Sequence, residues 1–157
     1  MDENNNVLVE KRADTELEPG ELDLCSGHID SNETPTQAMI REYVEELHDG
    51  SEEERKKARN EASQNLKKLL ELDLTFLDKG KPVKYFIQFY FLKTKLKSIT
   101  KQKEEVEKIE RIPVEEMFEL IRQGKTRFPY DKRYEEIFQQ IREYSQGKKQ
   151  EIQKEIV

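Results

Sequence analysis

Residues 27–50 read GHIDSNETPTQAMIREYVEELHDG, and this stretch decides how the rest of the chain is read. Thr34 is a capping residue, Pro35 suits the first helical position, and Gln37 stands three residues after the threonine, which makes a capping box. The expected helix runs from about Pro35 to Leu47. On a wheel of about 100° per residue, Met39, Ile40, Tyr43, Val44 and Leu47 share an apolar arc. Glu42, Glu45 and Glu46 fall on the opposite side, with Ala38 among them, too small to block an approach, and Arg41 at the flank. One face should pack on the domain while the other presents a carboxylate ridge.

Like charges at this spacing cost roughly 0.2–0.5 kcal/mol per pair. They also sit in the half of the helix where the dipole disfavours anions. Two readings explain the ridge. It is a solvated face, which three glutamates in an acidic chain would by themselves favour. Or it is a site for a hard divalent cation, which takes oxygen ligands and leaves room for water and phosphate.

The chain has 157 residues, 34% apolar and 39% charged, which fits one domain with a modest core. We expect a single domain over residues 1–146 and a charged tail over 147–157. With 34 acidic against 28 basic residues the net charge is −6, which argues against a dedicated nucleic-acid face. An anionic substrate would then need a bridging cation. The single cysteine, Cys25, excludes an intrachain disulfide and fits a reducing compartment. No apolar run reaches membrane-spanning length and the MDENNN start is not a signal peptide, so the expected location is cytoplasmic, away from membranes.

NVLVEK (6–11) alternates as a short strand, Glu18-Pro19-Gly20 reads as a turn, and Leu22–Cys25 as a second short extended piece. Ser51 and Glu54 cap a second, charged helix expected to reach about Glu71, with Ala58, Ala62, Leu66, Leu69 and Leu70 on its apolar side. Leu72–Leu77 and Val83–Thr94 flank Asp78-Lys79-Gly80-Lys81 as a β-hairpin. The nearly all-apolar YFIQFYFL (85–92) suits a central strand buried on both faces, its aromatics serving the core and not a base pocket. A strand at Val106–Ile112, a helix from Pro113 to about Ile121 and a last helix over Tyr134–Tyr144 complete an α/β (α+β) chain with a mixed sheet between helices.

Gly27, five residues, Glu33, seven residues, then Arg41-Glu42-Tyr43-Val44-Glu45-Glu46 resembles the signature of the Nudix hydrolase family, Gly-x5-Glu-x7-Arg-Glu-U-x-Glu-Glu-x-Gly-U, with U a bulky apolar residue. Every Gly, Glu and Arg position through Glu46 matches. His48 stands where the motif has its second glycine and Asp49 where it has an apolar residue. A glycine there would allow a left-handed turn ending the helix, and Gly50 is the candidate to take that role. NVLVEKR looks like the strand entering the family's loop, and VEKIERIPVEEMFELI like the segment after its sheet, so the resemblance covers about residues 6–140. The family's usual first strand is apparently lacking, with only five residues before NVLVEKR. That implies a shortened N-terminus or another element or subunit over the edge.

The resemblance implies that Glu42, Glu45 and Glu46 hold Mg²⁺ or Mn²⁺, with the backbone carbonyl of Gly27 completing the site. Arg41 and Glu33 would orient these ligands. Glu105, with Glu104 next, is the candidate for the family's distant glutamate, as ligand or base. The implied reaction is hydrolysis of the diphosphate bridge of a nucleoside diphosphate linked to another moiety, with Glu45, Glu46 and Glu105 as the catalytic set. Lys11, Arg12, Lys84 and Arg127 are candidates for phosphate contact, and a homodimer fits the family. Two alternatives stand beside it. One is an isopentenyl-diphosphate isomerase-like enzyme, whose cysteine directly precedes Gly-His; here Ser26 intervenes, which on a strand turns Cys25 to the other face and makes it a small buried residue. The other is a non-catalytic binding module that keeps the fold.

Overall fold

The computed structural model describes residues 1–12, 22–127 and 129–147. The expected turn at 18–20 and nearly all of the tail lie outside them. The elements are β1 (Asn6–Arg12), β2 (Leu22–Asp23), α1 (Pro35–Leu47), α2 (Glu52–Asn65), β3 (Lys67–Asp78), β4 (Lys81–Phe91), β5 (Val106–Pro113), α3 (Val114–Arg122) and α4 (Tyr134–Ser145). The class is α+β, and the described residues divide into two compact units.

The first unit comprises Met1–Leu66 and Leu92–Pro129. Its sheet has the order β2-β1-β5, antiparallel throughout, with Val9 opposite Glu110 and Glu10 opposite both Asp23 and Ile109. Among the described residues, parallel pairing is confined to two isolated bridges, Leu22 with Thr126 and His48 with Thr100. Leu8, Val9 and Glu10 are consecutive buried residues, so β1 is covered on both faces. Leu8 joins a core with Tyr43, Val44 and Leu47 of α1 and Ala58 and Ala62 of α2. Each large apolar side chain so buried contributes on the order of 1.5–3 kcal/mol. Ala58 and Ala62 are fully buried; their small side chains let α2 lie close against this core. On α3, Met117, Phe118 and Ile121 form the buried stripe.

α1 occupies the expected span. Thr34 Oγ1 accepts from Gln37 N, and Thr34 N donates to Gln37 Oε1, so both halves of the capping box are made. Its end departs from expectation. Gly50 is not in the left-handed region and does not end the helix. His48 is the C-cap, at φ −134°, with its N–H on the Val44 carbonyl. The chain then joins residue 100 as a short parallel bridge: Thr100 N donates to Leu47 O and Asp49 N to Thr100 O. A strand-like exit needs no glycine.

The second unit comprises Lys67–Phe91 and Tyr130–Val157. Its β3–β4 hairpin turns at Lys79 (φ 48°) and Gly80 (φ 78°), the double positive φ of a tight two-residue turn. Here two expectations fail. α2 ends at Asn65, and Leu69 and Leu70 belong to β3, because the alternation that buries Leu72 and Leu74 extends back through a bulge between Lys68 and Glu71. β4 is not a central strand buried on both faces. Among the described residues it pairs only with β3, and Phe86 is 81% exposed on the face shared with Asp73, Thr75 and Leu77. The aromatics of its C-terminal half do pack: Phe89 meets Tyr134 edge-on and Phe91 stacks on Tyr144, both at 5.7 Å between centroids. Arg133 fastens α4 to the hairpin through Asp73, by Nη1 to Oδ1 and Nη2 to the backbone carbonyl.

Candidate active site

The ridge of α1 and the loop of residues 24–33 form the site, all within the first unit. Arg41 is its organiser. Its guanidinium grips Glu33 twice, Nε to Oε2 at 3.1 Å and Nη2 to Oε1 at 2.7 Å, and donates from Nη2 to the His28 carbonyl at 2.9 Å. Nη1 reaches Glu42 Oε1 at 2.6 Å and Glu45 Oε2 at 3.4 Å. One planar cation thus ties the loop to two ridge carboxylates, a use for which the guanidinium fork is suited and an ammonium is not. The hydrogen bonds from Arg41 hold Glu33 below the usual carboxylate range.

Gly27 lies directly against Glu42. A Cβ at residue 27 would sit 2.0 Å from the Glu42 carboxyl carbon, so only glycine admits this approach with Glu42 in its present pose. Burial raises the Glu42 carboxyl pKa; the Arg41 contact opposes this, and Glu45 and Glu105 add to it. Glu105, in the exposed turn before β5, is therefore near enough for its charge to act on the ridge.

The three ridge glutamates are not alike. Glu45 is exposed. Glu46, expected on the same open face, is only 5% exposed, and Ala38 is buried as well. Ser26 N donates to Glu46 Oε2 at 3.2 Å, and the chain at Cys25–Ser26 covers this carboxylate. Beneath it lies Glu10 of β1. One oxygen of each carboxylate and Cys25 Sγ all lie within 4.8 Å of one another. Burial, reinforced by the facing carboxylate, pushes the Glu10 carboxyl far up, and burial also raises Glu46 and the Cys25 thiol. Cys25 also packs against the apolar core, as a small apolar residue does.

His48, at the position of the motif's second glycine, is fully buried. Its Nε2 lies 3.0 Å from Tyr43 Oη and its Nδ1 3.4 Å from Glu54 Oε1. Tyr43 Oη continues to Glu61 and Thr94, each at 3.3 Å. Burial lowers the imidazole pKa, which favours the neutral ring.

The proposed phosphate contacts are each ion-paired: Lys11 with Glu107, Arg12 and Arg127 with Asp23, and Lys84 with Asp73 in the second unit. Glu10 is the residue sequence reasoning passed over. Its signal was an acidic residue directly following the apolar run Val7-Leu8-Val9. On a strand, Glu10 shares the face of Leu8, which looks toward α1.

A sequence model of the NUDIX domain matches residues 1–137. The match covers most of the chain, and the protein belongs to the NUDIX domain family. Among solved structures it is similar to an Ap4A hydrolase of C. elegans in a binary complex, at 20% identity and a TM-score of 0.47, over 73% of this chain and 72% of that one. It is also similar to RenU, a Nudix hydrolase of M. smegmatis, at 17% identity and a TM-score of 0.49, over 90% of this chain and 76% of that one. No curated protein matches the chain. No helix among the described residues is long and apolar enough to cross a membrane.

Proposed function

We propose that the protein is a divalent-metal-dependent pyrophosphohydrolase that cleaves the diphosphate bridge of a nucleoside diphosphate linked to another moiety. The observation that carries this reading is the seating of Glu42 between the Gly27 backbone and Arg41, beside the exposed Glu45. Such a cradle keeps carboxylate oxygens and a backbone segment together at one end of an open ridge.

The donor set fits Mg²⁺ or Mn²⁺, since it consists of carboxylate oxygens with open access on the Glu45 side. Glu42, Glu45 and Glu46, with the Gly27 carbonyl, would hold the ion. When bound, such an ion neutralises diphosphate oxygens and lowers the pKa of a coordinated water. Arg41 and Glu33 keep Glu42 and Glu45 oriented. Glu105 stands within electrostatic reach as the group to accept a proton from the attacking water. The net charge of −6 also fits an anionic small molecule that is met through a cation. The family match spans parts of both units, which supports reading residues 1–146 as one domain.

The test is Glu45→Gln, chosen because Glu45 is exposed and its loss leaves no buried orphan. Mg²⁺-dependent release of nucleotide or phosphate from a panel of dinucleotides, nucleotide sugars and nucleoside triphosphates should fall by about 10²-fold or more. Wild-type turnover in that variant would place the chemistry elsewhere.

A further inference from the structure

Glu10, Cys25 and Glu46 come from three different elements, β1, the segment after β2 and α1, and converge in the interior of the first unit. Glu10 and Glu46 are each 5% exposed, and Cys25 is half-buried. Glu10 Oε1 has no hydrogen-bond partner among the described residues. The two oxygens of one carboxylate share a carbon, so this unpartnered atom borders the cluster. Arg12, whose charge reaches Glu10, is paired with Asp23 at 3.4 Å. Glu46 hydrogen-bonds both Glu10 and Cys25, so the buried cluster is held together by shared protons, which a bound cation would replace.

We propose that Glu10, Cys25 and Glu46 bind one divalent transition ion of the Zn²⁺ type, through a ligand set that shares only Glu46 with the ridge.

The donor chemistry selects the ion. A thiolate is a poor ligand for Mg²⁺ and a good one for Zn²⁺ or Co²⁺, which also accept carboxylate oxygen. Zn²⁺ bonds of about 2.3 Å to sulfur and about 2.0 Å to oxygen place tetrahedral donors about 3.5 Å apart. The present spread of up to 4.8 Å therefore closes by side-chain shifts of about an ångström. A coordinated thiol gives up its proton to solvent, and the ion then offsets three negative groups at once. A water would complete the fourth position. The proposal does not depend on the hydrolytic reading, because none of its evidence involves Glu42, Glu45 or the Gly27 cradle.

The experiment uses the full chain, stripped with a chelator and titrated with Co²⁺. One equivalent should give the near-ultraviolet sulfur-to-cobalt charge-transfer band, and Zn²⁺ should displace it. Cys25→Ser should abolish the band, and Glu45→Gln should keep it. Loss of an outer-shell partner alone costs about 10–100-fold in affinity, so Glu10→Gln should weaken Co²⁺ binding by at least that much. Zinc-edge X-ray absorption of the unmutated protein, which needs no variant to fold, should find one sulfur neighbour. Absence of both the band and the sulfur neighbour overturns the site, as does a band that survives Cys25→Ser or is lost in Glu45→Gln. Mg²⁺-dependent hydrolysis is assayed separately, so failure here leaves that reading standing and the converse also holds.

Discussion

The backbone of Gly27 and the carboxylate of Glu42 occupy adjoining space so closely that the two residues cannot be varied independently. In Gly27→Ala the methyl group would displace the end of a flexible side chain, which is a small cost to folding. It would also move Glu42 off its 2.6 Å contact with Arg41. Stability should change by less than about 1 kcal/mol while Mg²⁺-dependent turnover falls by about 10-fold or more. Parallel urea melts and hydrolysis assays check this, and an active alanine variant would show that the cradle is dispensable.

Arg41 is the second test. In Arg41→Lys the charge is kept, but the fork that holds Glu33, Glu42 and the His28 carbonyl together is lost. Metal affinity should drop about 10–100-fold with the helix intact. Mn²⁺ binding followed by electron paramagnetic resonance reads the affinity, and circular dichroism reads the helix. Equal affinity would mean that charge alone suffices.

Restoring the motif's glycine should do harm. His48→Gly removes a fully buried ring, leaves Tyr43 Oη without its His48 partner, and adds backbone freedom at a residue whose φ of −134° needs no glycine. We expect a loss of about 2–4 kcal/mol in chemical denaturation. An unchanged or raised midpoint would refute the structural role given to this histidine.

Acid stability offers a fourth check. Burial of Asp2 raises its carboxyl pKa, but hydrogen bonds from the Asn6 and Asn4 backbone and from Arg111 outweigh it, so the folded pKa is depressed. A depressed carboxyl pKa contributes stability above the unfolded value, and that contribution disappears as pH falls through the folded one. Asp2→Asn should therefore be less stable than the wild type at neutral pH, with the gap narrowing as pH falls below the ordinary carboxylate range. A gap that stays constant with pH would remove the ionic part of this account.

Much of the first unit was legible because its signals are local. The Thr34–Gln37 box and Pro35 specify where α1 begins without reference to any other part of the chain. The Lys79-Gly80 turn likewise announces its hairpin. What stayed hidden depends on partners distant in sequence. Glu46 sits on the polar side of its own wheel, yet Ser26 and Glu10, 20 residues or more away, enclose it. Leu69 and Leu70 fit either a helical stripe or a pleated one, and pairing of the residues on both sides of them with β4 settled the matter. The apolar run of β4 could not reveal that, among the described residues, it has one neighbouring strand instead of two.

The parallel bridge beyond α1 carries a further consequence. Thr100 is stitched to Leu47 and Asp49, and Gln102 N donates to the carbonyl of Glu46 itself. The stretch that leads to Glu105 is thereby measured off from the ridge, like a tether of set length. Inserting or deleting a single residue between Gln102 and Glu105 would shift that carboxylate along the molecule while every ridge residue kept its place; on the roles proposed for the ridge and for Glu105, such a change would separate ion binding from turnover.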